Sequence, residues 1–184
     1  MRVIAGTRRS LPLKSPEGTI TRPTTDRIKE TLFNMLQNDI YDTVFVDLFS
    51  GSGSIGIEAL SRGARKCYFV ESNRDAIQCI QDNLRFTKFL DQAVVLKQEA
   101  LSGIDQIMEP IDIMFMDPPY DQDFEKSILE KLSKMNILKE DSIIIVEASL
   151  KTDFSYLEQL NFELIKEKKY KTNKHVYIML SEAE

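Results

Sequence analysis

The chain has 184 residues, 42% of them apolar and 29% charged, with a net charge of −5 and two cysteines. One domain of ordinary size buries enough surface to fold without staples. Cys67 and Cys79 offer neither a disulfide framework nor a metal-ligand spacing, so a disulfide-rich secreted scaffold is excluded and no metal is expected. No apolar run approaches the ~18 residues of a membrane span. Arg2, Arg8 and Arg9 surround too few apolar residues for a signal peptide, so a cytoplasmic protein without membrane contact is expected.

Charge is unevenly spread. Residues 1–30 hold seven basic and three acidic side chains, a local +4, whereas the other 154 hold 17 basic and 26 acidic, a local −9. A second basic cluster runs through Lys166, Lys168, Lys169, Lys171 and Lys174. Such runs are commonly solvated faces, but two of them against an acidic body point toward a polyanion met by both ends of the chain.

Residues 6–23 are rich in Gly, Pro, Ser and Thr, and Pro12, Pro16 and Pro23 interrupt any regular element, which predicts an arm with short strands at most. A helix is expected over residues 25–37, capped among Thr24, Thr25 and Asp26, with Ile28, Leu32, Met35 and Leu36 on one face. From Val44, apolar runs at 44–48, 67–70, 93–96, 111–116 and 143–147 alternate with helical spacing near 55–62, 74–87, 100–108 and 123–135. A last helix near 153–160 precedes strands at 162–169 and 175–180, joined by a Lys171 to Lys174 turn. Alternation of this kind predicts a doubly wound, Rossmann-like α/β fold of seven strands, mostly parallel, with one antiparallel strand in a C-terminal hairpin. The whole chain, 1–184, is expected to be one domain, with an arm and helix over 1–40 and an α/β core over 41–184.

Asp47-Leu-Phe-Ser-Gly51-Ser-Gly53-Ser-Ile-Gly56 joins the first strand to its helix. Glycines there let a ligand approach the turn and the helix amides. The segment also matches G-x-G-x-x-G, and Glu71 follows Gly51 by 20 residues, so a nicotinamide or flavin enzyme is a rival reading. Asp47 opposes that rival: a carboxylate before the loop repels a pyrophosphate and welcomes a cationic amino-acid moiety, such as that of S-adenosylmethionine. Glu71 can accept from ribose hydroxyls of either ligand, and Glu99 can approach an adenine.

The fourth strand runs into Asp117-Pro118-Pro119-Tyr120, beyond the carboxyl end of the sheet where open α/β folds bind ligands. Two prolines set the backbone so that the Pro118 carbonyl turns outward. Asp117 and that carbonyl can hold both hydrogens of an exocyclic amino group and aim its lone pair at a methyl donor. Tyr120 offers a stacking face. Taken alone, the tetrapeptide is a strand-ending turn; beside the glycine loop it reads as catalytic. His175, the sole histidine, reads as structural or exposed, and Cys67 as core.

Arg2-Val-Ile-Ala-Gly6, Arg22-Pro-Thr-Thr-Asp-Arg27 with Lys29-Glu-Thr-Leu-Phe33, the Asp47 to Gly53 loop, Glu58-Ala-Leu-Ser-Arg-Gly-Ala64 and Asp117 to Tyr120 together resemble the RsmD family of bacterial 16S rRNA guanine-N2 methyltransferases. The resemblance implies S-adenosylmethionine as cofactor, leaving as S-adenosylhomocysteine, held by Asp47, Phe49, Gly51, Gly53, Glu71, Ser72, Glu99 and Ala100. It implies catalysis by Asp117, Pro118, Pro119 and Tyr120, and contact of Arg8, Arg9, Arg22 and Arg27 with 16S rRNA in an assembled or partly assembled small subunit, by a monomer. Two departures stand out: Glu99 where the pattern has Asp, and Tyr170-Lys-Thr-Asn-Lys near the C-terminus. A DNA adenine or protein amide methylase sharing the tetrapeptide, and a non-catalytic ribosome-assembly protein, remain as alternatives.

Overall fold

The computed structural model describes residues 1–16, 25–120 and 122–181. Seven strands form one sheet: β1 (Val44–Leu48), β2 (Lys66–Val70), β3 (Ala93–Leu96), β4 (Ile111–Met116), β5 (Leu138–Ser149), β6 (Phe162–Lys169) and β7 (Asn173–Leu180). Their order is β3-β2-β1-β4-β5-β7-β6. β1 to β5 pair in parallel, and β7 is antiparallel to both β5 and β6, as the closing hairpin requires.

The inner strands read as continuous apolar runs because helices cover both faces; every residue of β1 is buried. Helices α1 (Asp26–Met35), α2 (Ser54–Ser61) and α3 (Arg74–Thr87) cover one face, and α4 (Ala100–Ile104) and α5 (Phe124–Leu132) the other. Strand alternation sorts the side chains. Phe45, Phe69, Phe115 and Ile145 pack with Leu32, Phe33, Ile57 and Ile80, whereas Val46, Met114 and Val146 pack with Ile104, Ile128 and Leu129. Thr25 caps α1 by accepting from the Ile28 amide at 3.3 Å; Thr24 lies outside the described residues.

Several elements differ from expectation. α4 ends at Ile104 rather than near 108. Its Gly103 lies so close to Val70 that a Cβ would come within 2.4 Å, so contact with β2 sets this helix more than its own periodicity does. The helix expected over 153–160 is a 3-10 turn, Glu158–Leu160. Asp153 accepts from both the amide and the hydroxyl of Ser155, a local alternative to helical hydrogen bonding. β5 begins five residues early, at Leu138, because its polar stretch is held through Ser142, whose Oγ accepts from the Lys139 amide and donates to the Ile111 carbonyl. β7 begins at Asn173, which shortens the expected turn.

The N-terminal arm is packed through a buried carboxylate. Val3 and Leu13 enter the core beside α1, α2 and α3. Glu58, fully buried in α2, accepts from the amides of Ile4 at 2.8 Å and Ala5 at 3.0 Å. Arg62 Nε lies 2.8 Å and Lys29 Nζ 3.6 Å from the same carboxylate. Lys29 also donates to the Arg2 carbonyl at 2.6 Å, and burial pushes its pKa down against the pull of Glu58. Lys29 is therefore an internal tether, not part of a basic surface.

Glu58→Ala would strand a buried ammonium and two backbone amides, so a loss of about 3–5 kcal/mol is expected in urea unfolding. Lys29→Met is expected to cost less, because Glu58 retains Arg62 and both amides.

Candidate active site

At the end of β1 the chain turns through Phe49, whose backbone adopts a left-handed φ of 66° rarely taken by a bulky residue. The turn is stapled to β2: the Ser50 amide donates to the Val70 carbonyl at 3.0 Å and Ser50 Oγ to the Asp47 carbonyl at 2.6 Å. Gly51 has φ +54°, and a Cβ there would meet nothing within 4 Å, so the loop is open on that side. The Gly53 amide donates to the Ser50 carbonyl at 2.7 Å, turning the chain into α2. Gly56 is required by packing, since a Cβ would lie 2.3 Å from the Phe69 ring and 2.6 Å from Cys67 Sγ.

Asp47 is buried beneath this loop and accepts the Gly56 amide at 2.9 Å. Desolvation pushes its carboxyl up to about 8; the Gly56 bond opposes this, and the nearby Glu71 and Asp117 charges add to it. Glu71, at the end of β2, accepts from Gly51 at 2.8 Å with one oxygen and from Ser72 at 3.0 Å and Asn73 at 2.9 Å with the other. A carboxylate offers about four acceptor positions. A ribose diol would therefore share Glu71 with these amides instead of finding an unoccupied acceptor.

Beyond β3, Glu99 is exposed at the start of α4 and makes no capping bond through its side chain, while Ala100 is buried. Beyond β4, Asp117 is solvent-accessible, Pro118 buried, Pro119 exposed and Tyr120 44% exposed. Although accessible from one side, Asp117 is held above the ordinary carboxylate range by desolvation and then by the Glu147 charge. Phe49 meets the edge of Phe124 at 5.9 Å, which ties the glycine loop to the helix after the Asp117 corner. The strand order β3-β2-β1-β4 thus brings Glu99, Glu71, the glycine loop and Asp117 along one edge.

Of the basic residues, Arg8 is not gathered with them. Arg8 lies beyond the far end of α2, where its amide donates to Ser61 Oγ at 3.0 Å, its Nε donates to the Thr87 carbonyl at 2.7 Å and its guanidinium covers the Phe89 ring. Arg9 and Arg27 are exposed, and Arg22 lies outside the described residues.

Sequence reasoning missed a polar cluster beside Asp117. Glu147 of β5 faces His175 of β7, with Oε2 3.1 Å from His175 Nε2, and accepts from Asn173 Nδ2 at 2.5 Å. His175, read as structural or exposed, is fully buried. Glu147 at the end of a long apolar run was the available signal.

A family model described as conserved hypothetical protein 95 matches residues 1–179. Ribosomal RNA small subunit methyltransferase D of Haemophilus influenzae is 38% identical over 173 residues, covering 91% of this chain and 88% of that protein. The protein of the same name in Escherichia coli is 36% identical over 150 residues, with coverage of 82% and 75%. The solved structure of Escherichia coli yhhF shares 32% identity with a TM-score of 0.86, covering 100% of this chain and 99% of that one.

Gly56→Ala is expected to lower stability by about 1–3 kcal/mol through overpacking. In a Phe69→Leu background the cost is expected to shrink, because the obstructing ring is gone, whereas that of Gly51→Ala is expected to add independently. Denaturant midpoints of the single and double variants measure both; full additivity at Gly56 would contradict the packing account.

Proposed function

The chain belongs to the RsmD family of methyltransferases, whose family model is described as conserved hypothetical protein 95, and on that premise we propose that it methylates the exocyclic N2 of a guanine in 16S rRNA, with S-adenosylmethionine as donor. The observation that carries the cofactor half of this reading is the acid-lined edge. The charges of Glu71 and Asp117 bear on the buried Asp47 beneath an open glycine loop, an environment that disfavours a pyrophosphate and suits a cationic ligand. Asp47 would meet the ammonium, Phe49, Gly51 and Gly53 the methionine end, Glu71 with Ser72 the ribose, and Glu99 with Ala100 the adenine. When bound, S-adenosylmethionine supplies a methyl group on a sulfonium, whose C–S electron pair passes to sulfur on transfer.

The chain's own residues do the rest. Asp117 and the Pro118 carbonyl accept the two amino hydrogens, which aims the nitrogen lone pair and stabilises the positive charge that develops there. Pro119 stiffens the corner and Tyr120 stacks on the base. Guanine N2 lies on the minor-groove edge and takes part in base pairing, so the base must be unpaired or flipped to enter. Arg9 and Arg27, with Arg22, would hold phosphates and set register more than sequence, whereas Arg8 is already engaged by Thr87 and Phe89. Selectivity then comes from a folded RNA surface, in an assembled or partly assembled small subunit acted on by a cytoplasmic monomer. Residues 1–40 form the arm and helix, and 41–184 the catalytic core of a single domain.

Mass analysis of nucleosides after incubation with unmodified small-subunit particles is expected to show N2-methylguanosine, far above the level with protein-free rRNA or duplex DNA. Asp117→Ala is expected to slow transfer by about 10²–10³, with cofactor binding little changed. N6-methyladenine in duplex DNA would overturn the RNA reading.

Calorimetric titration provides a separate check on the cofactor. S-adenosylmethionine is expected to bind while NAD gives no heat, and Glu71→Ala is expected to weaken binding about 10–100-fold, the loss of one charged hydrogen bond or more. An Asp47 carboxyl near 8 holds a proton at neutral pH that an arriving ammonium displaces, so binding at pH 7 is expected to release protons, seen as a heat that depends on the buffer.

A further inference from the structure

Glu147, His175, Asn173 and Tyr170 have no part in the mechanism above, yet their placement is costly. Glu147 carries a carboxylate at the end of a buried strand, and His175 is wholly enclosed. Glu147 makes two inward hydrogen bonds, a short one from Asn173 Nδ2 to Oε1 at 2.5 Å and one of ordinary length from His175 Nε2 to Oε2 at 3.1 Å. A carboxylate only accepts, so His175 carries its hydrogen on Nε2 and turns Nδ1 to the Tyr170 hydroxyl, 3.4 Å away. The imidazole is further boxed by the edges of Phe115 at 5.8 Å and Tyr170 at 5.0 Å.

Register explains why this matters. Met116 pairs with Val146, so one residue further Asp117 and Glu147 fall side by side, and Glu147 pairs in turn with His175. Residues at these register positions share a sheet face. Burial and then the charge of Glu147 raise Asp117, and the same two causes in that order push the Tyr170 hydroxyl up to about 12. Glu71 and Asp47 extend the acidic row on one side, and Lys168 stands opposite His175 on β6.

We infer that Glu147, clamped by Asn173 and His175, is a positioning residue that keeps a fixed negative charge beside Asp117 and so makes Asp117 the acceptor of the proton released by the methylated amino group. This rests on the amino-methylation reading. As nitrogen gains its methyl group, one N–H bond breaks, its electron pair stays on nitrogen, and the proton passes to an Asp117 oxygen. The clamp prevents Glu147 from turning away from Asp117 or exchanging its charge with solvent.

His175 is the only histidine, so its ring protons report the clamp directly by NMR without substrate or cofactor. Asp117→Asn is expected to move the His175 Nε2–H resonance, because the anion beside the clamp is gone, and Glu147→Gln, which removes the acceptor charge itself, to move it further. An unmoved His175 Nε2–H resonance in Asp117→Asn overturns the inference, and because Asp117 lies at an accessible corner this arm stands even where Glu147→Gln does not fold. In turnover, transfer is lost as pH falls and Asp117 becomes protonated. Glu147→Gln is expected to shift that acid limb of kcat to lower pH by about one unit and to lower the plateau severalfold, with the KM for S-adenosylmethionine unchanged. A lower plateau with the limb in place would assign Glu147 to structure alone and overturn the inference. The wild-type nucleoside product tests the amino-methylation reading separately, and the NMR arm decides the charge coupling whatever that product is.

Discussion

The glycine loop is held by carboxylates that bind its own amides, and the rest of the molecule is arranged around that contact. Asp47 accepts the Gly56 amide from below and Glu71 the Gly51 amide from the side. The first bond sets where α2 begins relative to β1, and the second ties the loop to the end of β2. Because α2 is placed in this way, Glu58 arrives where it can gather the Ile4 and Ala5 amides, Lys29 and Arg62. The arm and α1 thus join the sheet through one buried anion. Breaking such a cluster on one side is costly because the partner charge stays desolvated.

Carboxylates that serve the backbone also create the chemistry of the edge. Doubly wound topology sets the ends of β2, β1, β4 and β5 next to one another, and each of these ends carries an acid: Glu71, Asp47, Asp117 and Glu147. Burial makes Asp47 and Asp117 more expensive to ionise, and the charges of Glu71 and Asp117 at the first and of Glu147 at the second add to that expense. Such a row is stable when some members hold protons or when a cation is present. Accommodating a cationic donor and taking up a proton are two consequences of the same crowding. The contact of Phe49 with Phe124 adds a mechanical link between the loop and the Asp117 corner.

Local signals identified most of the scaffold because they arise from short-range requirements. β1 and β4 match their apolar runs, since strands covered on both faces need unbroken hydrophobicity. α3 spans the expected residues because Ile77, Ile80 and Leu84 hold one face to the core over 14 residues. The misreadings have two sources, a contact between distant segments and a local hydrogen bond that competes with the helix. α4 stops early against Val70, and the stretch after Phe154 turns instead of winding because Asp153 bonds locally with Ser155.

From the sequence alone came the alternating α/β order, the loop from Asp47 to Gly56, the Asp117 to Tyr120 corner and the family resemblance, all carried by residues adjacent in the chain. Tertiary structure decided which charges are buried and what they touch. Lys29 and Arg8 read as members of a basic arm, but one is bonded to Arg2 and Glu58 and the other to Thr87 and Phe89. Glu71 read as an acceptor awaiting a ribose, yet it already holds three amides. His175 and Glu147 lie 28 residues apart and meet only because β7 returns antiparallel beside β5. A side chain's charge is written in the sequence, but its desolvation and its partners depend on how the strands are ordered in space.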